Sequence, residues 1–154
     1  MKDIKLGAPS AQKRRWLAVV AALGFASAAQ AQVGQIKTAR GEVWVDRGGQ
    51  TLPGRVGLML ETADTLRTGA DGTVGVTMRD DSLVSAGPNS ILSLARFEFD
   101  TVSSQGRFET QLRRGTLAVV TGRIAKQSPA AVTVRTPTAV LGARGTEFVV
   151  AADE

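Results

Sequence analysis

From Val33 onward, apolar and polar residues alternate in short runs broken by Gly, Pro, Asn or Asp. Alternation at period two marks a pleated strand with one buried face, and breaks at roughly eight-to-twelve-residue spacing argue for an all-β domain. Val43-Trp44-Val45 predicts the first clear strand, closed by Asp46-Arg47-Gly48-Gly49, and Pro53-Gly54 predicts a further turn. Asp71-Gly72 reads as a hairpin turn. The strand after it sets Val74, Val76 and Met78 on one face. Asp80-Asp81-Ser82 turns the chain into Leu83-Val84, and Gly87-Pro88-Asn89 turns it into Ile91 to Leu94. Leu92 and Leu94 share a parity that Phe97 and Phe99 do not, so a bulge is expected near Ala95-Arg96. Phe108, Thr110 and Leu112 alternate up to a turn at Arg113-Arg114-Gly115, and Leu117 to Val120 forms the next strand. Thr101 to Gln105 and Lys126 to Pro129 read as surface loops.

The last stretch reads as strand, tight turn, strand. Pro137 fixes φ and lacks a donor, so the strand from Val132 to Thr136 either ends there or lies at an edge. Gly142 and Gly145 bracket Arg144 and supply the freedom of a tight reversal. Phe148 and Val150 then alternate with Glu147 and Val149, and Phe148 is expected in the core. Only four residues follow Val150, so this strand is expected either at a sheet edge, open to a partner's strand, or flanked on both sides by earlier strands.

Charge changes the picture at the amino terminus. The whole chain carries 19 basic and 14 acidic residues. Outside residues 1–31 the counts are 14 and 13, a net of +1, mixed in sign along the chain. That reads as a solvated surface and argues against a nucleic-acid partner. Residues 1–31 read as a secretory signal peptide: Lys13-Arg14-Arg15, an apolar run from Trp16 to Ala29, and a small-x-small site at Ala29-Gln30-Ala31. Cleavage after Ala31 leaves Gln32 first and no stable membrane anchor. Residues 33–154 then form one β domain, exported by the general secretory route to the periplasm or beyond. The run is short for a bilayer span, and an uncleaved anchor is the alternative.

Candidate chemistry is sparse. The chain has no His, Cys or Tyr, which removes the usual general base, thiolate and soft metal ligands. Asp80-Asp81 is an adjacent carboxylate pair, but Ser82 alone extends it toward a hard-cation loop, so a solvated turn is expected. The glycine-rich stretches precede no helix and make no phosphate cradle. Trp44 either stacks on a sugar or is partly buried. The reading is a non-enzyme with no catalytic residue, metal or cofactor.

In order along the chain, several segments resemble the FecR domain family. They are Gly41-Glu42-Val43-Trp44-Val45, Asp64-Thr65-Leu66-Arg67-Thr68-Gly69, Gly72 to Val76, Ser82-Leu83-Val84, and Leu112 to Leu117 with Gly115. The most specific is Thr136-Pro137 followed by Arg144-Gly145-Thr146-Glu147-Phe148. Ala63 stands where the family usually has Gly, and so does Asp81. The resemblance implies a compact coil of short strands, closer to a β-solenoid than to a β-sandwich. Members that regulate iron-transport genes carry a cytoplasmic anti-sigma domain, whereas only about fifteen residues precede the apolar run here, too few for a domain. The resemblance therefore implies an exported binding or scaffolding module of the bacterial envelope, partnered with another envelope protein. The alternatives are a sensor component passing ligand occupancy, such as iron-siderophore uptake, to a separate membrane regulator, and a glycan- or peptidoglycan-binding module.

Overall fold

The computed structural model describes Gly7, residues 31–143 and residues 145–153. Most of the expected signal peptide, with Ala29, lies outside the described residues, and so does Arg144; Ala31 and Gln32 are both exposed. Among the described residues twelve strands form one curled, almost wholly antiparallel sheet, a half-barrel. They are β1 (Gln32–Arg40), β2 (Val43–Arg47), β3 (Gln50–Pro53), β4 (Met59–Glu61), β5 (Thr65–Thr68) and β6 (Thr73–Met78). There follow β7 (Leu83–Ala86), β8 (Ile91–Phe99), β9 (Gly106–Val120), β10 (Val132–Arg135), β11 (Val140–Gly142) and β12 (Glu147–Ala152).

The sheet has two arms that share β9. One runs β4-β1-β6-β7-β9-β12 and uses the carboxyl half of β9. The other runs β3-β2-β5-β8-β9-β10-β11 and uses its amino half, with β9–β10 the parallel pair. The chain passes back and forth between the arms, so its path is coiled although neighbouring strands are mostly antiparallel.

The alternation seen in the sequence sets the core. Val74, Val76 and Met78 of β6, Leu92 and Leu94 of β8, and Phe108 and Leu112 of β9 all turn inward into one cluster. Burying each such side chain contributes about 1.5–3 kcal/mol. The parity slip in β8 is a bulge between Ser93 and Arg96, and it turns Phe97 inward to meet Phe108 edge-on at 5.6 Å. Thr101 to Gln105 is a loop, with Asp100 accepting from the N–H groups of Val102 and Ser103.

Four expectations are corrected. Arg113-Arg114-Gly115 is no turn: β9 runs through it for 15 residues. Gly115 has φ +92°, and this kink moves the buried parity from Phe108, Thr110 and Leu112 to Leu117 and Val119. Asp71-Gly72 makes no hairpin, because β5 and β6 lie in different arms; Gly72 is needed because a Cβ there would come within 2.2 Å of the Glu42 carbonyl oxygen. Residues 126–129 are not a plain loop. A short helix, α1 (Arg123–Gln127), and a 3-10 turn (Pro129–Ala131) stand there, too short to show a 3.6-residue period around the buried Ile124. Finally, Phe148 lies at the margin of the core, half-buried against Val119, while Val150 and Ala152 of the same face are buried.

Gly115 generates a test. A Cβ at Gly115 would lie 2.2 Å from Ser90 Oγ, whereas one at Gly48, also at positive φ (+54°), would meet nothing. Gly48→Ala should cost about 1–2 kcal/mol of backbone strain alone. Gly115→Ala should cost that and about 1–3 kcal/mol more for the clash. Equal losses in denaturant unfolding would remove the packing argument.

Candidate functional site

The residues of the sequence signature do not gather in a cleft; they hold corners. Thr68 closes β5, and its buried hydroxyl donates to the Gly87 carbonyl at 2.6 Å while accepting from the Ser90 N–H at 2.9 Å. The Gly69 carbonyl accepts from the Asn89 N–H, and the Gly69 N–H donates to the Glu42 carbonyl. Ser90 Oγ in turn accepts from the Thr116 N–H at 3.1 Å and lies 3.2 Å from the Thr116 carbonyl. Thr68, Gly69, Ser90 and Gly115 therefore form one corner where the arms meet, with Thr68 and Ser90 buried and the turn of residues 87–90 at its centre.

Asp64 lies in a second corner. Its carboxylate is 1 % exposed and takes a two-pronged contact from Arg47, Nε at 2.8 Å and Nη2 at 2.6 Å, plus the Glu61 N–H at 2.9 Å. Arg47 also reaches Glu61 Oε1 at 2.8 Å and the Met59 carbonyl at 2.7 Å. Asp64 beside it raises the Arg47 pKa, so the guanidinium stays charged. Ala63 adopts φ +71° and Asp81 φ +67°, so both keep the left-handed backbone that favours glycine. Asp80 is corrected from a solvated turn to a buried one. Its carboxylate accepts from Ser82 Oγ at 2.8 Å and the Ser82 N–H at 3.1 Å, and its carbonyl from the Arg123 N–H at 2.7 Å, which docks α1.

The closing signature splits between two turns. Thr136 ties the β10–β11 turn around Pro137 by accepting from the Ala139 N–H at 3.0 Å. Gly145, at φ +108°, and Thr146 carry the chain across to β12, where both carbonyls face the Thr121 hydroxyl. Gly142 ends β11 without a positive φ. Trp44 is half-buried under the Arg67 guanidinium, 5.5 Å from its ring centroid, and Arg67 is paired with Asp46. The Arg67 guanidinium and then the Thr51 hydroxyl hold the Asp46 carboxyl below its ordinary range.

Among the described residues the accessible features include an open groove and the sheet edges at β3, β4, β11 and β12, of which β12 is the longest. The groove, about 430 Å³, crosses the outer face of the first arm between Arg40 and Val149 over small side chains such as Ser85 and Ala118. Among the described residues β12 pairs only with β9. The Thr146 carbonyl accepts from the Thr121 N–H, so by strand alternation Phe148, Val150 and Ala152 bond to β9. The N–H and C=O groups of Glu147, Val149 and Ala151 point to the open side. Val149 is 70 % exposed. Arg47, Ser90 and Thr121, the partners of the signature residues, escaped the sequence reading because each acts across a distance of 17 to 26 residues.

The Asp64 corner is the more costly of the two ion-pair sites to break. Asp64→Asn should lose about 2–3 kcal/mol, as it strips charge from a buried, multiply bonded pair. Asp46→Asn, in a half-exposed pair, should lose about 1 kcal/mol or less. The Asp46 contribution is present above the ordinary carboxylate range and fades as pH falls through the depressed folded value. Urea titrations at neutral pH in which the two variants are equally stable would refute this ranking.

No curated protein and no solved structure gives a significant match to the chain. A family model described as FecR protein matches residues 64–154, which hold Asp64 itself, the Thr68 corner and all of β9 and β12. With more than half its length matched, the chain belongs to the FecR family, which relates it to envelope sensors and regulators.

Proposed function

We propose that this chain is a non-catalytic binding module of the bacterial envelope that works by accepting an extended strand from another envelope protein along β12. One observation carries the reading: Glu147, Val149 and Ala151 present backbone donors and acceptors on an edge that no described strand covers. Such an edge is a template for a further strand, with affinity from main-chain hydrogen bonds and selectivity from alternate side chains. Glu147, Val149 and Ala151 face outward there, so the edge favours a strand with small apolar residues beside Val149 and Ala151 and no acid beside Glu147. The corners leave Asp64, Thr68, Gly69 and Gly115 with structural roles.

Family membership supports a second reading for the same edge, a sensor arm whose partner strand reports to a separate membrane regulator. The glycan reading has less behind it, because Arg67 already covers the Trp44 ring. Export to the periplasm rests on the pattern of residues 1–31, and it predicts an intact mass beginning at Gln32.

Hydrogen exchange tests the binding reading. In the dilute purified protein the amides of Glu147, Val149 and Ala151 should exchange fast, while those of Phe148 and Val150 are protected by β9. In intact envelopes all five should be slow. Slow exchange at Glu147, Val149 and Ala151 in the dilute protein would mean that the edge is already filled, and would overturn the reading.

A further inference from the structure

We infer that, when no partner strand is bound, β12 pairs antiparallel with β12 of a second copy, so that self-association and partner binding compete for one edge. This rests on the reading of β12 as the binding edge and adds its regulation. The register follows from the residues. Glu147, Val149 and Ala151 are the ones whose backbone groups face outward, so a two-fold axis has few places to fall. With the axis at Val149, that residue faces its own copy and exchanges both hydrogen bonds with it. Glu147 then faces Ala151 of the other copy, and Asp153 faces Gly145. No like charges oppose each other, and every outward backbone group of β12 gains a partner.

Other registers are worse. An axis at Val150 places Glu147 opposite Asp153, a like-charge pair that destabilises a cross-strand contact. An axis at Ala151 leaves Glu147 without an opposite residue in the strand. An axis at Phe148 leaves Val150 and Ala151 facing Thr146 and Gly145 of the turn rather than the strand.

The outer face agrees with the Val149 axis. Thr38, Gly75, Ser85, Ala118 and Val149 stand in one row across the first arm, fixed by the pairings of β1, β6, β7, β9 and β12. The axis extends that row into the second copy and covers Val149, which is 70 % exposed in the single chain. Like other edge pairings of this length, the contact would be weak and sensitive to concentration, which suits a contact that a partner displaces.

A charge swap at the axis tests this directly. Sedimentation of the natively processed protein should show its mass doubling as concentration rises. Val149→Lys and Val149→Glu should each stay monomeric, because each sets a like pair on the axis. Mixing the two variants should restore the dimer. A dimer that persists in either variant alone, or a mixture that stays monomeric while wild type dimerises, would overturn the inference. Circular dichroism of both variants checks that they fold; the side chain at 149 points to solvent, so both should match wild type. The edge reading is tested apart from the dimer with an octapeptide of alternating valine and threonine. If wild type is monomeric at every concentration but the peptide slows exchange at Glu147, Val149 and Ala151, the self-pairing is wrong and the edge reading stands. If the peptide changes nothing either, both fail.

Discussion

The kink at Gly115 decides the shape of this molecule. A strand of 15 residues cannot serve two arms of a curled sheet without changing direction, and a positive φ at one residue changes it with a single break in the alternation. The break is held in place by chemistry as well as by sterics. Ser90 Oγ sits where a Gly115 side chain would be and bonds to Thr116, while Thr68 holds the Ser90 backbone and the Gly87 carbonyl. Unpaired, these buried groups would each cost on the order of 1–3 kcal/mol, so the corner tends to form as a whole or not at all.

The same corner explains how the open edge of β12 comes to be presented. The carboxyl half of β9 carries β7 on one side and β12 on the other. Its direction, set at Gly115, therefore sets where β12 lies and which edge of it faces out. The Thr121 hydroxyl anchors the turn that delivers β12, and the buried Val150 and Ala152 fix the face it presents. Residues within the protein thus act on the edge through position alone.

Much of this was legible in the sequence, and the parts that were not share one cause. Alternation placed Val74, Val76 and Met78 inward and revealed the bulge before Phe97, because strand period and bulge parity are local signals. Gly115 and Gly72 were misread because a glycine shows only that something unusual happens to the backbone. At Asp71-Gly72 the demand comes from Glu42, thirty residues away, and at Gly115 from Ser90, twenty-five away. Asp80 looked solvated beside Asp81 because its partners include α1, which five residues are too few to announce. Phe148 was placed too deep since alternation gives the face of a strand and not the depth of the core beneath it. The signature residues were found, but their roles lay in long-range partners such as Arg47.

A double-mutant cycle between Thr68→Val and Ser90→Ala is the most direct test of the corner as one unit. Thr68 reaches the Ser90 backbone, and the Ser90 side chain reaches Thr116, so either substitution should loosen the other's contacts. Unfolding free energies of wild type, both single variants and the double variant should give a coupling of about 0.5–3 kcal/mol. Losses that add to within about 0.3 kcal/mol would contradict the account, since the arms would then be joined by independent contacts.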